Sequence, residues 1–246
     1  MTPYPANIPT VVLVHGGFAD ASFWTPVVRE LQARNVPVLA PANPLRNLTT
    51  DAEYLASFVR QIDGPVLLVG HSYGGAVITV AGNAADNVVG LVYVAAFALD
   101  EGESLATIFA GFPPTPLAEA LRPSAYPLPD GGTGHEVTVA PELYRSAFAA
   151  DLPAETTEVL AVMQRPFAAF EDPAPAASWK TLPSWYAVAT ADNAIHPDAQ
   201  RHMARRAGAE TIEVEGASHS IALSQPDAVV SLVQTAVDAT SATSVA

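Results

Sequence analysis

At 246 residues, 50% of them hydrophobic and only 15% charged, the chain has material for one large α/β unit with a sizeable core. Its formal net charge of −14 leaves no basic surface on the scale of a phosphate backbone, which excludes nucleic acid as a partner; the same field repels polyanionic substrates and anionic lipid and favours neutral ligands. No apolar run reaches the roughly 18 residues of a membrane span, and the lack of cysteine excludes disulfides, thiol catalysis and Cys-ligated metals.

Residues 1–9 carry three prolines and read as a loose leader. They hold neither a basic segment nor an apolar run, which predicts no secretory signal and a cytoplasmic location. Residues 10–15 are a continuous β-branched run suited to a strand buried on both faces, ending in His15-Gly16-Gly17-Phe18. A helix is predicted over 22–33, with Phe23, Val27 and Leu31 on one face, and a strand over 36–40. The next helix opens at Thr49-Thr50, where Thr50 and Glu53 have the spacing of a capping box, and Gly64-Pro65 stops it. An apolar strand over 66–70, a small-residue helix after it and a strand over 88–96 follow. This alternation predicts parallel strands with helices on both faces.

From residue 98 to 182 the pattern breaks. Half of the 22 prolines fall here, aromatics are scattered through the segment, and no strong strand is evident. So apolar a stretch would not stay solvated, which predicts a folded, mainly helical lid (98–182) over the carboxyl edge of the sheet, with helices over 141–149 and 154–165. The core is then 1–97 and 183–246. Alternation resumes with a strand over 184–190, a helix over 197–207, a short strand over 211–214 and a closing helix over 226–237, while 240–246 are expected to fray.

The chemistry centres on Gly70-His71-Ser72-Tyr73-Gly74. G-x-S-x-G between a buried strand and a helix is the nucleophile elbow, a strained turn whose flanking glycines leave room for neighbouring backbone and which raises the serine hydroxyl above the sheet. The helix that follows turns free N–H groups and a partial positive charge towards an oxyanion.

A serine hydroxyl needs an adjacent base, and histidine titrates near operating pH. His15 sits at a strand end and is expected to be structural; His71 lies inside the elbow with its ring directed away from Ser72; His135 is in the lid; His196 and His202 border a surface helix. His219, in the loop after the last strand, is at a carboxyl end, where an α/β sheet presents its site. Its carboxylate partner is Asp192, two residues past the strand over 184–190, with Asp100 as the alternative acid. Ser72, Asp192, His219 is the serine–acid–histidine order of one hydrolase fold and differs from the chymotrypsin and subtilisin orders.

His15-Gly16-Gly17, the elbow, Thr190-Ala191-Asp192-Asn193-Ala194-Ile195-His196-Pro197 and Gly216-Ala217-Ser218-His219 together resemble the α/β-hydrolase superfamily, and within it the small esterase branch of plant methylesterases and hydroxynitrile lyases. The resemblance implies a carboxylic-ester hydrolase needing no metal or organic cofactor, with an oxyanion hole from the N–H groups of Gly17 and Tyr73. Phe18, Trp24 and Phe97, with the lid aromatics, are expected either to wall a pocket for a small neutral ester or simply to pack in the core. Two other functions stay open: a ligand receptor of the same fold, and a cofactor-free lyase. Hydroxynitrile lyases of this branch carry lysine where this chain has Ser220 and threonine where it has Gly16, which disfavours the lyase.

Overall fold

A computed structural model describes residues 8–128 and 130–241. The chain enters through β1 (Thr10–Val14), a 3-10 turn over Ala21–Trp24 and α1 (Thr25–Ala33), then β2 (Val38–Leu39), α2 (Leu48–Val59), β3 (Val66–His71), α3 (Tyr73–Ala81) and β4 (Val88–Val94). An inserted segment follows: α4 (Leu105–Ala110), α5 (Pro116–Ala120), β5 (Leu121–Pro127), β6 (Thr133–Val139), α6 (Pro141–Phe148) and α7 (Ala154–Val162). The chain closes with β7 (Ser184–Ala189), α8 (Pro197–Arg206), β8 (Glu210–Val214), α9 (Ile221–Ser224) and α10 (Pro226–Ser241).

Six parallel strands form one sheet in the order β2-β1-β3-β4-β7-β8. Successive side chains on a strand point to opposite faces, so the apolar runs divide between two cores. Val12, Val14, Leu68 and Tyr93 pack with α2, α3, α8 and the insertion. Val11, Leu13, Leu67 and Val69 pack with α1, α9 and α10. Hydrophobic runs without polar alternation are what such double burial requires, and all five residues of β1 except Thr10 are buried.

The mainly helical insertion between β4 and β7 also contains a strand pair absent from the sequence expectation. β5 and β6 pair antiparallel from Leu121↔Val139 to Pro127↔Thr133. Pro123 and Pro127 lack the N–H that a central strand needs, but a two-stranded ribbon has a free edge to accommodate them. Val137 and Phe167 exchange backbone hydrogen bonds of 2.9 and 3.0 Å, which tie the ribbon to the stretch that crosses the sheet's carboxyl edge.

The start of α2 also differs. Its N-cap is Asn47, whose side chain accepts from Thr50 N at 3.2 Å, in place of a Thr50–Glu53 box. Asp172, from the insertion, accepts from Leu48 N and Asn47 Nδ2, both at 2.9 Å, and sets its negative charge against the positive helix end. Of the frayed terminus expected over 240–246, Thr240 and Ser241 are the last turn of α10, and 242–246 lie outside the described residues, as do 1–7 of the leader. No helix among the described residues is long and apolar enough to cross a membrane.

Candidate active site

β3 delivers the chain to Ser72 at the centre of the sheet's carboxyl edge. Ser72 has φ 53° and ψ −124°, a left-handed conformation that a side-chain-bearing residue adopts only under constraint. Tight packing of the turn imposes it. A Cβ on Gly70 would come within 2.5 Å of the Gly74 carbonyl oxygen, and one on Gly74 would run into the Val14 carbonyl. Tyr73 then begins α3, so its N–H lies in the unpaired first turn.

Asp192 and His219 come from the loops after β7 and β8. The structure brings them together: His219 Nδ1 lies 2.7 Å from Asp192 Oδ2, with both side chains shut off from solvent. Asp192 Oδ1 accepts from the N–H groups of Ala194 (2.6 Å) and Ile195 (2.9 Å), and Oδ2 also accepts from Gln200 Nε2 at 2.7 Å. Donors thus converge on both oxygens, as a buried carboxylate requires. With Nδ1–H directed at Asp192, the free lone pair of the neutral ring is on Nε2.

Ser72 and His219 line one small cavity together with Gly17, Phe18, Tyr73 and Phe97. The Ser72 hydroxyl makes no hydrogen bond among the described residues, and neither does His219 Nε2. Such contacts are commonly loose without substrate and close when it binds. The backbone N–H groups of Gly17 and Tyr73 have no partner among the described residues either. Every predicted site residue lines the cavity except Asp192, which stands behind His219, and Trp24. Trp24 is fully buried on the opposite face of the sheet among Val11, Leu13 and α1, its ring 5.5 Å from Phe23 and 6.3 Å edge-on to His71. The tight 3-10 turn before α1 points it into that core.

Asp100, the alternative acid, pairs with Lys180, whose hydrogen bond holds the carboxyl below the usual aspartate range, and it makes no contact with His219. His15 is structural as expected: Asn43 N donates to its Nε2 at 3.0 Å, and burial lowers its pKa to about 4. His71 stacks on Phe23 at 4.2 Å and donates from Nε2 to the His219 carbonyl oxygen at 2.9 Å. Burial, then the His219 charge, pushes its pKa well below the ordinary value.

Several supporting residues escaped the sequence reading. Gln200 is fully buried; besides Asp192 it donates to Ile195 O and accepts from Ala189 N, which locks the Asp192 loop to α8. A polar residue on the apolar side of an amphipathic helix (Ala199, Gln200, Met203, Ala204) was a readable signal. Asp151, from the insertion, accepts from Ser218 Oγ and, at 3.0 Å, from Ser218 N, while Ser220 Oγ donates to Phe148 O at 3.0 Å. Tyr73 OH donates to the buried Asp51 at 2.8 Å. Burial raises the pKa of the Asp51 carboxyl. Among the described residues no group of three or more His, Asp or Glu side chains is placed to hold a metal ion.

A family model described as the alpha/beta hydrolase family matches residues 11–232. The chain belongs to that family. It is similar to the alpha/beta hydrolase nvfD of Aspergillus novofumigatus, with 25% identity over 93% of this chain and 96% of that one. Among solved structures, polyneuridine aldehyde esterase superposes with a TM-score of 0.81 at 22% identity, covering 93% of this chain and 99% of that one. The methylesterase MES16 of Arabidopsis gives 0.75 at 21%, covering 94% and 99%. The resemblance to the methylesterase branch, first drawn from four short motifs, thus extends to the whole fold.

Proposed function

We propose that this chain is a serine hydrolase of small, neutral, largely apolar carboxylic esters. Ser72 Oγ attacks the acyl carbon while His219 Nε2 takes its proton and passes it to the departing alcohol. Asp192 holds the imidazole by Nδ1 and stabilises its cationic form. The N–H groups of Gly17 and Tyr73 receive the oxyanion; one such donor is worth about 10²–10³ in kcat. Water deprotonated by His219 then releases the acid and restores Ser72.

The observation that carries this reading is the buried Asp192–His219 pair at 2.7 Å on the same cavity as a serine held at φ 53°. The aromatic lining supports an apolar substrate, as do relatives whose names include an aldehyde esterase and a methylesterase. The lyase reading loses support at both diagnostic positions. Ser220 spends its hydroxyl on Phe148 O, and a Cβ at Gly16 would stand 2.6 Å from Ser72 Cβ. The deciding experiment is hydrolysis of p-nitrophenyl acetate. The expected result is a burst and steady release that Ser72→Ala lowers by about 10³-fold or more. Turnover that survives this substitution, or saturable binding without turnover, sinks the proposal.

A further inference from the structure

The cavity at Ser72 has a volume of about 20 Å³, room for little more than one water and too little for any ester. A second pocket of about 320 Å³ lies against it, between α4, α5, the start of β5 and Phe170-Glu171. The two share three walls: Phe109, Leu117 and Phe170. Phe109 and Phe170 are only half-buried, come from different elements and meet at 6.3 Å between ring centres. They form a thin partition of side chains whose rotation would join the two spaces without moving backbone. Leu121, Ala106 and Ala118 line the outer pocket alone.

The direction of the substrate follows from the proton's path. The leaving oxygen must lie within reach of His219, whose ring packs edge-on against Phe148 of α6 at 4.6 Å. The outer pocket takes its walls from α4, α5, the start of β5 and Phe170-Glu171, and none from α6, the His219 loop or the Phe148 side of His219. Resting on the hydrolase reading above, we infer that the outer pocket is an acyl-chain subsite, with Phe109 and Phe170 as its movable partition, and that the substrates are esters of medium-length alkyl or arylalkyl acids. At roughly 30 Å³ per small group the pocket holds a chain of about eight to ten methylene-sized units.

The test is a series of p-nitrophenyl esters from acetate to dodecanoate. kcat/KM is expected to rise about threefold to fourfold per methylene as each leaves water, and to level off near octanoate to decanoate. Ala118→Trp, at an exposed position on α5 that borders the pocket, lowers the octanoate-to-acetate ratio tenfold or more. Ala106→Leu lowers it less. Val162→Trp, exposed on α7 and remote from the pocket, leaves the ratio unchanged. A crystal structure of the octylphosphonate adduct on Ser72 is the second measurement, with the chain expected between Phe109 and Leu121. Equal turnover of all chain lengths, an unchanged ratio in both alanine variants, or an adduct chain running towards Phe148 would each overturn the subsite and leave the hydrolase reading standing. Absence of both turnover and adduct would instead remove the hydrolase reading on which it rests.

Discussion

The sheet and the segment inserted between β4 and β7 meet at one cavity and furnish it differently. Ser72, His219 and the N–H groups of Gly17 and Tyr73 all sit at strand ends or in the turns that follow them. The insertion adds Phe109, Leu117, Phe148, Phe167 and Phe170, all apolar. The central strands β1, β3 and β4 are buried on both faces and held in register over five or six residues, whereas the insertion is short helices and a half-exposed ribbon. On the proposed mechanism, groups that must meet a transition state to within a fraction of an ångström stand on the stiff part, and groups that would shape a substrate stand on the adaptable part. Chemistry and specificity should therefore be separable by substitution.

The sharpest break on the sheet side is Asp192→Asn. The amide would keep the shape of the side chain but present the wrong hydrogen-bond pattern to Nδ1, so that Nε2 carries the proton and cannot act as base. The expected loss is about 10⁴ in kcat for acetate and octanoate esters alike, with the chain-length profile unchanged in form. An Asn variant that altered the profile more than the rate would show that the two regions do not divide the work in this way.

The same division governs what could be read in advance. β1, β3, β4 and β7 are legible because double burial demands unbroken apolar runs, and the serine–acid–histidine order follows from loops at their carboxyl ends. Trp24 misled because a single aromatic beside a glycine loop carries no information on which face of the sheet its turn will choose. The ribbon was hidden by Pro123 and Pro127 and by the mostly exposed, aperiodic pattern of β5. The N-cap Asn47 of α2 is held by Asp172, more than a hundred residues away, and Asp151 is an ordinary loop aspartate until tertiary contacts place it against Ser218. Local rules wrote the sheet; long-range contacts wrote the insertion.

Acid distinguishes the regions by stability. His15 and His71 are buried neutral at the sheet edge, while His135 of the insertion is exposed. The unfolded chain binds a proton at His15 below about 6.5, but the folded chain binds it only near 4. Stability is therefore fully present above about pH 6.5 and is lost as pH falls towards 4, by about 3 kcal/mol for His15, with a loss of the same sign for His71. Calorimetric unfolding at pH 7.5, 6, 5 and 4 measures it, and His15→Gln, which can still accept from Asn43 N, should flatten the slope. An equal slope in the variant would trace acid sensitivity to the carboxylates instead.

The smallest effect is expected where the two regions are fastened together. Asp151 reaches from the insertion to Ser218 Oγ and N, immediately before His219. Removing it in Asp151→Ala gives up hydrogen bonds to an exposed carboxylate, about 1 kcal/mol, and should lower the thermal midpoint by roughly 2–4 °C. The rate should fall only a few-fold, because Asp192 still grips the imidazole and His71 still holds the His219 carbonyl oxygen, both from the sheet. Measured side by side with the Asp192→Asn loss, the ratio tests the comparison directly. A drop of a hundredfold or more in Asp151→Ala would mean that the inserted segment, and not the sheet, sets the position of the base.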